Sequence, residues 1–280
     1  MKTRACLGLA STAMAISVGL PFFGAAGCSS SSSGASGNTV DAADASARLC
    51  GVGMITQPDK SCVPADFAVA CAPGFAPDPS GYGCRDVLPA DPCTGATRAA
   101  LGHTTCVPVG DCTAAFPPSN ATLFVSASGS SDATHFKTIS AAVAAARSGA
   151  VIAVDSGTYV EQIKIPVPLA IVGKCPASVI VDGNAGEMET GIEVDGTTVS
   201  VSGITIRGAR LGISMQLNSA LTLTHSILDA NLLEGLELEA GMAKASLDDV
   251  VIRNTSGSPG VGSNVQASSE LDVTNSEITG

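Results

Sequence analysis

The chain has 280 residues, is 45% apolar and only 3% aromatic, and carries a formal charge of −11. With no basic patch and no Trp to stack on bases, it is excluded as a nucleic-acid binder. Past the first 27 residues, no apolar run reaches the ~20 residues that a spanning helix needs.

Residues 1–27 read as a targeting segment rather than as structure. Lys2 and Arg4 make a basic start, Ala5–Phe23 is apolar, and Ala25-Ala26-Gly27-Cys28 closes it with small residues before a Cys. That close resembles the lipobox of bacterial lipoproteins, with Ala25 where Leu is more usual. The resemblance implies a mature chain that starts at a lipidated Cys28 and is held to a membrane by several acyl chains, far more firmly than by one. Ser29, in place of Asp, implies the outer membrane of a bacterial cell envelope. Loss of Lys2 and Arg4 takes the charge from −11 to −13.

Residues 28–48 begin with Ser29–Ser33 and show no apolar period, as in a flexible tether. Residues 49–115 carry Cys50, Cys62, Cys71, Cys84, Cys93, Cys106 and Cys112. So many cysteines in a short secreted stretch read as a disulfide framework, each bond worth roughly 2–4 kcal/mol to a segment with little core. Seven is odd and Cys175 lies downstream, so four bonds are expected, one of them joining this module to the solenoid. The connectivity stays open. The spacings contain no C-x-x-C pair, which argues against zinc. Cys71-Ala-Pro-Gly-Phe-Ala to Gly-Tyr-Gly-Cys84 resembles the last disulfide loop of an epidermal-growth-factor-like domain, a match of one loop only.

Residues 120–280 change character. Leu123–Ser131 alternates and then turns. Thr138 is placed to N-cap a helix over Ile139–Arg147, which reads as a cap over the end of a solenoid. His135, just before it, belongs to a turn. From Val199 a repeat appears: VSVSGITI, LTLTHSIL, ASLDDVVI and LDVTNSEI start at Val199, Leu221, Ala245 and Leu271. Apolar residues or Ala fall at +0, +2, +5 and +7, with Ser as the exception. A second short strand comes after each of the first three, beginning at Gly212, Gly235 and Ser263. This period and alternation mean a β solenoid. Gly208, Ala230, Asn254 and Gly280 fall at +9, where a left-handed turn is expected. The last unit stops at that turn, so either the protein continues or its final coil is open for pairing.

Phe136-Lys137-Thr138-Ile139, Gly149-Ala-Val-Ile, Gly157-Thr158-Tyr159-Val-Glu161 and Leu169-Ala-Ile-Val-Gly173 together resemble the first coil of the pectin-lyase-like superfamily, pectinesterases included. The resemblance implies an all-β, right-handed parallel β-helix with an N-terminal capping helix, behind the disulfide-rich module. It implies no activity, because this stretch of a pectinesterase carries no catalysis. QDT-like and DFIFG-like segments are absent, and only Asp248-Asp249 matches a polygalacturonase motif. Arg207 and Arg253 end a strand just before a turn, poorly placed for a lyase base. His225, with Asp229 nearby, reads as a solvated strand residue.

The second strands point Ile192, Val194, Ile213, Met215, Leu217, Leu236, Leu238 and Val265 inward. Outward they raise two columns: Glu193, Ser214, Glu237, Asn264, and beside it Asp195, Gln216, Glu239, Gln266. Carboxylates among amides suit sugar hydroxyls, or a calcium ion at Glu193, Asp195, Glu237 and Glu239, or proton transfer by Glu237, Glu239, Gln216 and Asp195. The leading expectation is an envelope-anchored, non-catalytic module binding extracellular polysaccharide, matrix or an envelope protein, without a cofactor. The alternative is a calcium-dependent lyase, esterase or epimerase of acidic glycans.

Overall fold

The computed structural model describes residues 54–56, 59–64, 71–79, 83–239, 241–258 and 260–279. The targeting segment, Cys28, the tether and Cys50 lie outside them. The chain divides into two units, Met1–Val63 and Pro64–Gly280. In the first, Met54–Thr56 is a strand and Cys62 is disulfide-bonded.

The second unit is built on a parallel β-helix. One 12-stranded sheet bends at a corner into two faces, and a five-stranded sheet makes the third. The first face stacks Ala150–Val154, Leu169–Gly173, Thr198–Ser202, the leading halves of Ala220–Asp229 and Lys244–Arg253, and Glu270–Thr274. The trailing halves of those long strands continue the second face from Gly157–Val160, Val179–Asp182 and Thr205–Arg207 to Glu277–Ile278. The third face stacks Ile163–Ile165, Thr190–Val194, Leu211–Met215, Glu234–Leu238 and Val261–Val265. We number the coils one to six from Ala150. The register places Val199, Leu221, Ala245 and Leu271 in one column, the phase of the sequence repeat.

The repeat's spacing explains the bend. Plain alternation would put the third inward residue at +4, and the shift to +5 leaves one extra residue. That residue is the corner: Gly203, His225, Asp249 and Asn275 have φ of 71°, 49°, 56° and 45°. His, Asp and Asn are the residue types that tolerate this left-handed region best after Gly. The corner also accounts for Ser in an apolar column. Buried Ser226 donates its hydroxyl to Thr224 O at 2.7 Å and accepts from Ile204 N, one coil earlier, at 3.4 Å. Ser276 does the same with Thr274 O at 2.7 Å and Val250 N at 3.0 Å. A hydroxyl thereby satisfies an amide that the corner would orphan.

At +9, Gly208, Ala230 and Asn254 are left-handed, with φ of 66°, 55° and 56°. Gly280 lies outside the described residues. Asn231, fully buried beside that turn, accepts from Ala209 N at 3.2 Å and donates to Ile206 O at 3.3 Å. Helix α1 covers Ile139–Ala145, two residues fewer than expected, because Ala146 is already extended. Its first amides are held by Thr138 Oγ1 at 3.2 Å from Ala141 N and by the Glu161 carboxylate at 2.8 Å from both Ile139 N and Ser140 N. Ile139, Ala142 and Val143 bury its inner face against the solenoid core. His135 comes after a turn held by Asp132 and sits in a two-residue strand with its ring on Phe124.

Two inward assignments need correction. Leu217 lies past the end of its strand and is 53% exposed, since Asn218 turns left-handed directly after it. Val265 keeps the inward column but is 40% exposed on the last coil of the third face.

Within the second unit, the Cys-rich segment from Cys71 to Cys112 lies along the second face. Cys71–Cys84 and Cys93–Cys106 each close a small antiparallel hairpin, and Cys112 bonds Cys175 in coil two. Arg253, far from a solvated strand end, is buried. Its guanidinium donates to Cys93 O at 3.0 Å, Thr97 O at 3.2 Å and Gly95 O at 2.5 Å, and meets Asp229 at 3.3 Å. Ala99 N donates to Glu277 at 2.7 Å, and Val109 packs with Ile227 and Val251 in a small core of its own.

Arg253→Ala strands three carbonyls and the Asp229 charge, so a loss of about 3 kcal/mol is expected in chemical denaturation. Amide exchange should quicken first across residues 93–99. Equal exchange there and in coil three would show that Arg253 does not hold the segment.

Candidate functional site

The third face offers the first candidate. Its register pairs Lys164 with Glu193, Glu193 with Ser214, Ser214 with Glu237, and Glu237 with Asn264. Backbone bonds carry the neighbouring column past the strand ends, with Gln216 N on Val194 O at 2.9 Å, Glu239 N on Met215 O at 3.0 Å and Gln266 N on Leu238 O at 3.0 Å. Stacked coils lie ~4.8 Å apart. Two carboxylates in one column are therefore kept at about twice that distance by a hydroxyl or amide between them, near the screening length in salt.

Donors and acceptors interlock up the face. Ser214 Oγ donates to Glu237 at 2.9 Å, Gln216 to Glu239 at 3.1 Å, and Gln266 to Glu237 at 3.4 Å. Asn264 donates to Glu234 at 3.0 Å, whose other oxygen is buried without a hydrogen-bond partner. Glu237 titrates above the ordinary carboxylate range. Burial is the main cause, and the charges of Glu234, Glu239 and Glu189 add to it against the Ser214 bond.

The four residues expected to hold calcium do not converge. Lys164 bridges Glu193 at 2.9 Å and Asp195 at 3.0 Å in the first coils of the face, whereas Glu237 and Glu239 lie two coils further on, bonded to Ser214 and Gln216. Among the described residues no three His, Cys, Asp or Glu side chains gather as a metal cage. Of the proton-transfer candidates, Gln216 and Glu239 meet, Glu237 stands on the adjacent column, and Asp195 is tied to Lys164 instead.

The second candidate is not evident from the sequence. His225 and Asp249 occupy the corner position of successive coils, with Nδ1 3.0 Å from Asp249 Oδ2. Asp249 also accepts from Gly110 N at 2.7 Å and from Arg98 Nε at 2.5 Å. Burial alone would raise the Asp249 carboxyl, but the bonds from Arg98, His225 and Gly110, with the Arg98 charge, hold it below the ordinary value. Gly110 is required at this contact: its φ is 70° and a Cβ there would lie 3.0 Å from His225 Cβ. The signal available was the recurrence at +4, 24 residues apart, of two side chains that tolerate a left-handed corner. Arg207, by contrast, pairs with Asp182 at 2.9 Å.

Fold and surface together define a β-solenoid that displays polar side chains in columns, braced along one flank by a disulfide-bonded segment. Residues 125–276 match the family described as protein of unknown function (DUF1565), and the chain belongs to that family. It is similar at 17% identity and a TM-score of 0.37 to a solved pectin methylesterase mutant in complex with a hexasaccharide, over 48% of this chain. The chain spans about half of that structure's length, 55%. No curated protein matches it.

The two carboxyls should bend the stability profile in opposite senses. Asp249 is depressed, so its contribution is present above 3.8 and is lost as the pH falls below that. Asp249→Asn should flatten that acid limb. Glu237 is raised, so stability falls as the pH climbs from about 4.5 through its folded value. Glu237→Gln should remove that decline and be neutral or stabilising at pH 7. Denaturation midpoints from pH 3 to pH 8 decide both, and equal slopes in variant and wild type would refute either assignment.

Proposed function

We propose that this is a lipid-anchored protein of a bacterial envelope, tethered through Cys28, whose β-helix binds an extended extracellular ligand along its third face without transforming it. The observation that carries the reading is the pair of in-register columns from Glu193 to Asn264 and from Asp195 to Gln266. Side chains repeating every ~4.8 Å along a rigid face suit a polymer with repeating hydroxyls or amides. Polysaccharide is the favoured ligand. The charge, −11 for the full sequence and −13 once Lys2 and Arg4 are lost, makes a neutral chain a better fit than a polyuronate.

Glu237 is the specific observation behind a catalytic alternative, since burial and neighbouring carboxylates move its carboxyl upward, the direction that favours a general acid.

The deciding experiment incubates the oxidised, purified protein with immobilised neutral and acidic polysaccharides, with calcium or with chelator, and records retention and product release. Retention on a neutral polymer without product, weakened about tenfold in Glu237→Gln/Glu239→Gln, is expected from the loss of a few charge-assisted bonds. Product release abolished in that double variant would overturn the non-catalytic reading. Radiolabelled fatty acid incorporated into wild type but not into Cys28→Ala would support the anchor.

A further inference from the structure

We propose a second ligand site, separate from the third face: a pocket at the seam between the Cys-rich segment and the solenoid corner, shaped for one neutral sugar-sized ring and read by His225. A cavity of about 250 Å³ opens there, lined by Phe116 and Pro118 of the segment, by Val172 and Ser202 of coils two and three, and by His225. Pockets that enclose drug-sized ligands run to ~300–1,000 Å³. This one admits a single ring and not a chain.

The His225 ring is held as a recognition group would be. A carboxylate only accepts hydrogen bonds, so the 3.0 Å contact with Asp249 keeps a proton on Nδ1 and leaves Nε2 as the nitrogen free to meet a ligand hydroxyl. Asp249 cannot swing, because Arg98 and Gly110 N hold it as well. Docking of the segment does not need the imidazole: Arg98 and Gly110 reach Asp249 directly, and the His225 side chain remains 51% exposed. The ring that lines the cavity is therefore held in orientation through Nδ1. Ser202, on the same cavity, adds a hydroxyl that both donates and accepts.

The chemistry favours a neutral ligand. Lys174 borders the cavity but pairs with Asp155 at 3.2 Å, and Arg98 is spent on Asp249. Asp111, also on the cavity, accepts from the backbone and hydroxyl of Thr113 at 2.9 and 2.6 Å. Thr113 supplies only neutral hydrogen bonds, so Asp111 keeps its negative charge; that charge disfavours an anion, and its remaining lone pairs can accept from the hydroxyls of a neutral ligand. A lining that combines Phe116, over whose ring Lys174 Nζ stands 5.9 Å from the centroid, with Pro118, the His225 imidazole and the Ser202 hydroxyl suits a ring with an apolar C–H face and vicinal hydroxyls, such as a pyranose at the end or branch of a glycan.

The test titrates the full chain with methyl glycosides of glucose, galactose, mannose and N-acetylglucosamine, and with methyl glucuronide. The imidazole nitrogens are followed by NMR, where only three histidines contribute. A neutral glycoside should shift the His225 signals saturably, leave His103 and His135 in place, and lose at least tenfold in affinity in Ser202→Ala and in Phe116→Ala. If no glycoside moves His225 in the wild-type protein, if the glucuronide binds more tightly than every neutral glycoside, or if both variants bind as wild type, the proposal is overturned. Its fate is separable from that of the third face, because Glu237→Gln/Glu239→Gln should weaken polymer retention and leave the glycoside shifts intact.

Discussion

Parallel stacking of coils is the constraint on which everything else in this molecule rests. Each strand is hydrogen-bonded to the equivalent strand before and after it, so a residue placed at one position of one coil is placed against its counterparts in all of them. The core column, the corner and the polar columns are consequences of a single register. A slip by one residue would turn each inward side chain out. The left-handed corner fixes the phase between the first and second faces, and the hydroxyls of Ser226 and Ser276 stitch that corner to the coil before it.

That regularity has a chemical counterpart on each face. The second is largely committed inward to the chain itself, with Arg253 and the small core of Val109, Ile227 and Val251 taken up by the Cys-rich segment. The third is partly buried, and a hydroxyl and amides between its carboxylates bond to them and temper, without removing, the repulsion that raises Glu237. The Asp249 corner is the point at which the two designs meet. One carboxylate serves the docked segment through Arg98 and Gly110 and orients an imidazole toward solvent at the same time.

Much of the fold was legible because a solenoid writes itself repeatedly. Four copies of one spacing located the columns, the +9 turns and the facing pairs Glu193–Ser214 and Glu237–Asn264, and Thr138 marked the helix start. The bend inside the repeat was present in the step from +2 to +5, but alternation with one extra residue is easily read as one long strand. The odd cysteine count announced the bond from the segment to the solenoid, found as Cys112–Cys175, but the other contacts between them were not legible. Arg253 sits in a polar-looking strand end, and nothing local to it announces three carbonyls more than 150 residues away in sequence. His225 with Asp249 failed for a related reason, since their proximity arises from the corner. The tandem Cys loops did carry an unread signal: Cys71 and Cys84 recur 22 residues later as Cys93 and Cys106, and each pair closes a hairpin.

The docked segment is fastened to coil two through Cys175, to coil five through Asp249 and Arg253, and to coil six through Glu277. It acts as a ruler laid along the solenoid. Open repeat proteins lengthen or shorten by whole units at little cost, because each unit touches only its neighbours. Here a coil gained or lost between Cys175 and Asp249 would shift the far fastenings by ~4.8 Å against a segment of fixed length, and the disulfide, the guanidinium clamp and the carboxylate corner could not all close. The number of coils in that interval is thus a quantity that the protein measures, and variation in repeat number among its relatives is expected to fall outside it.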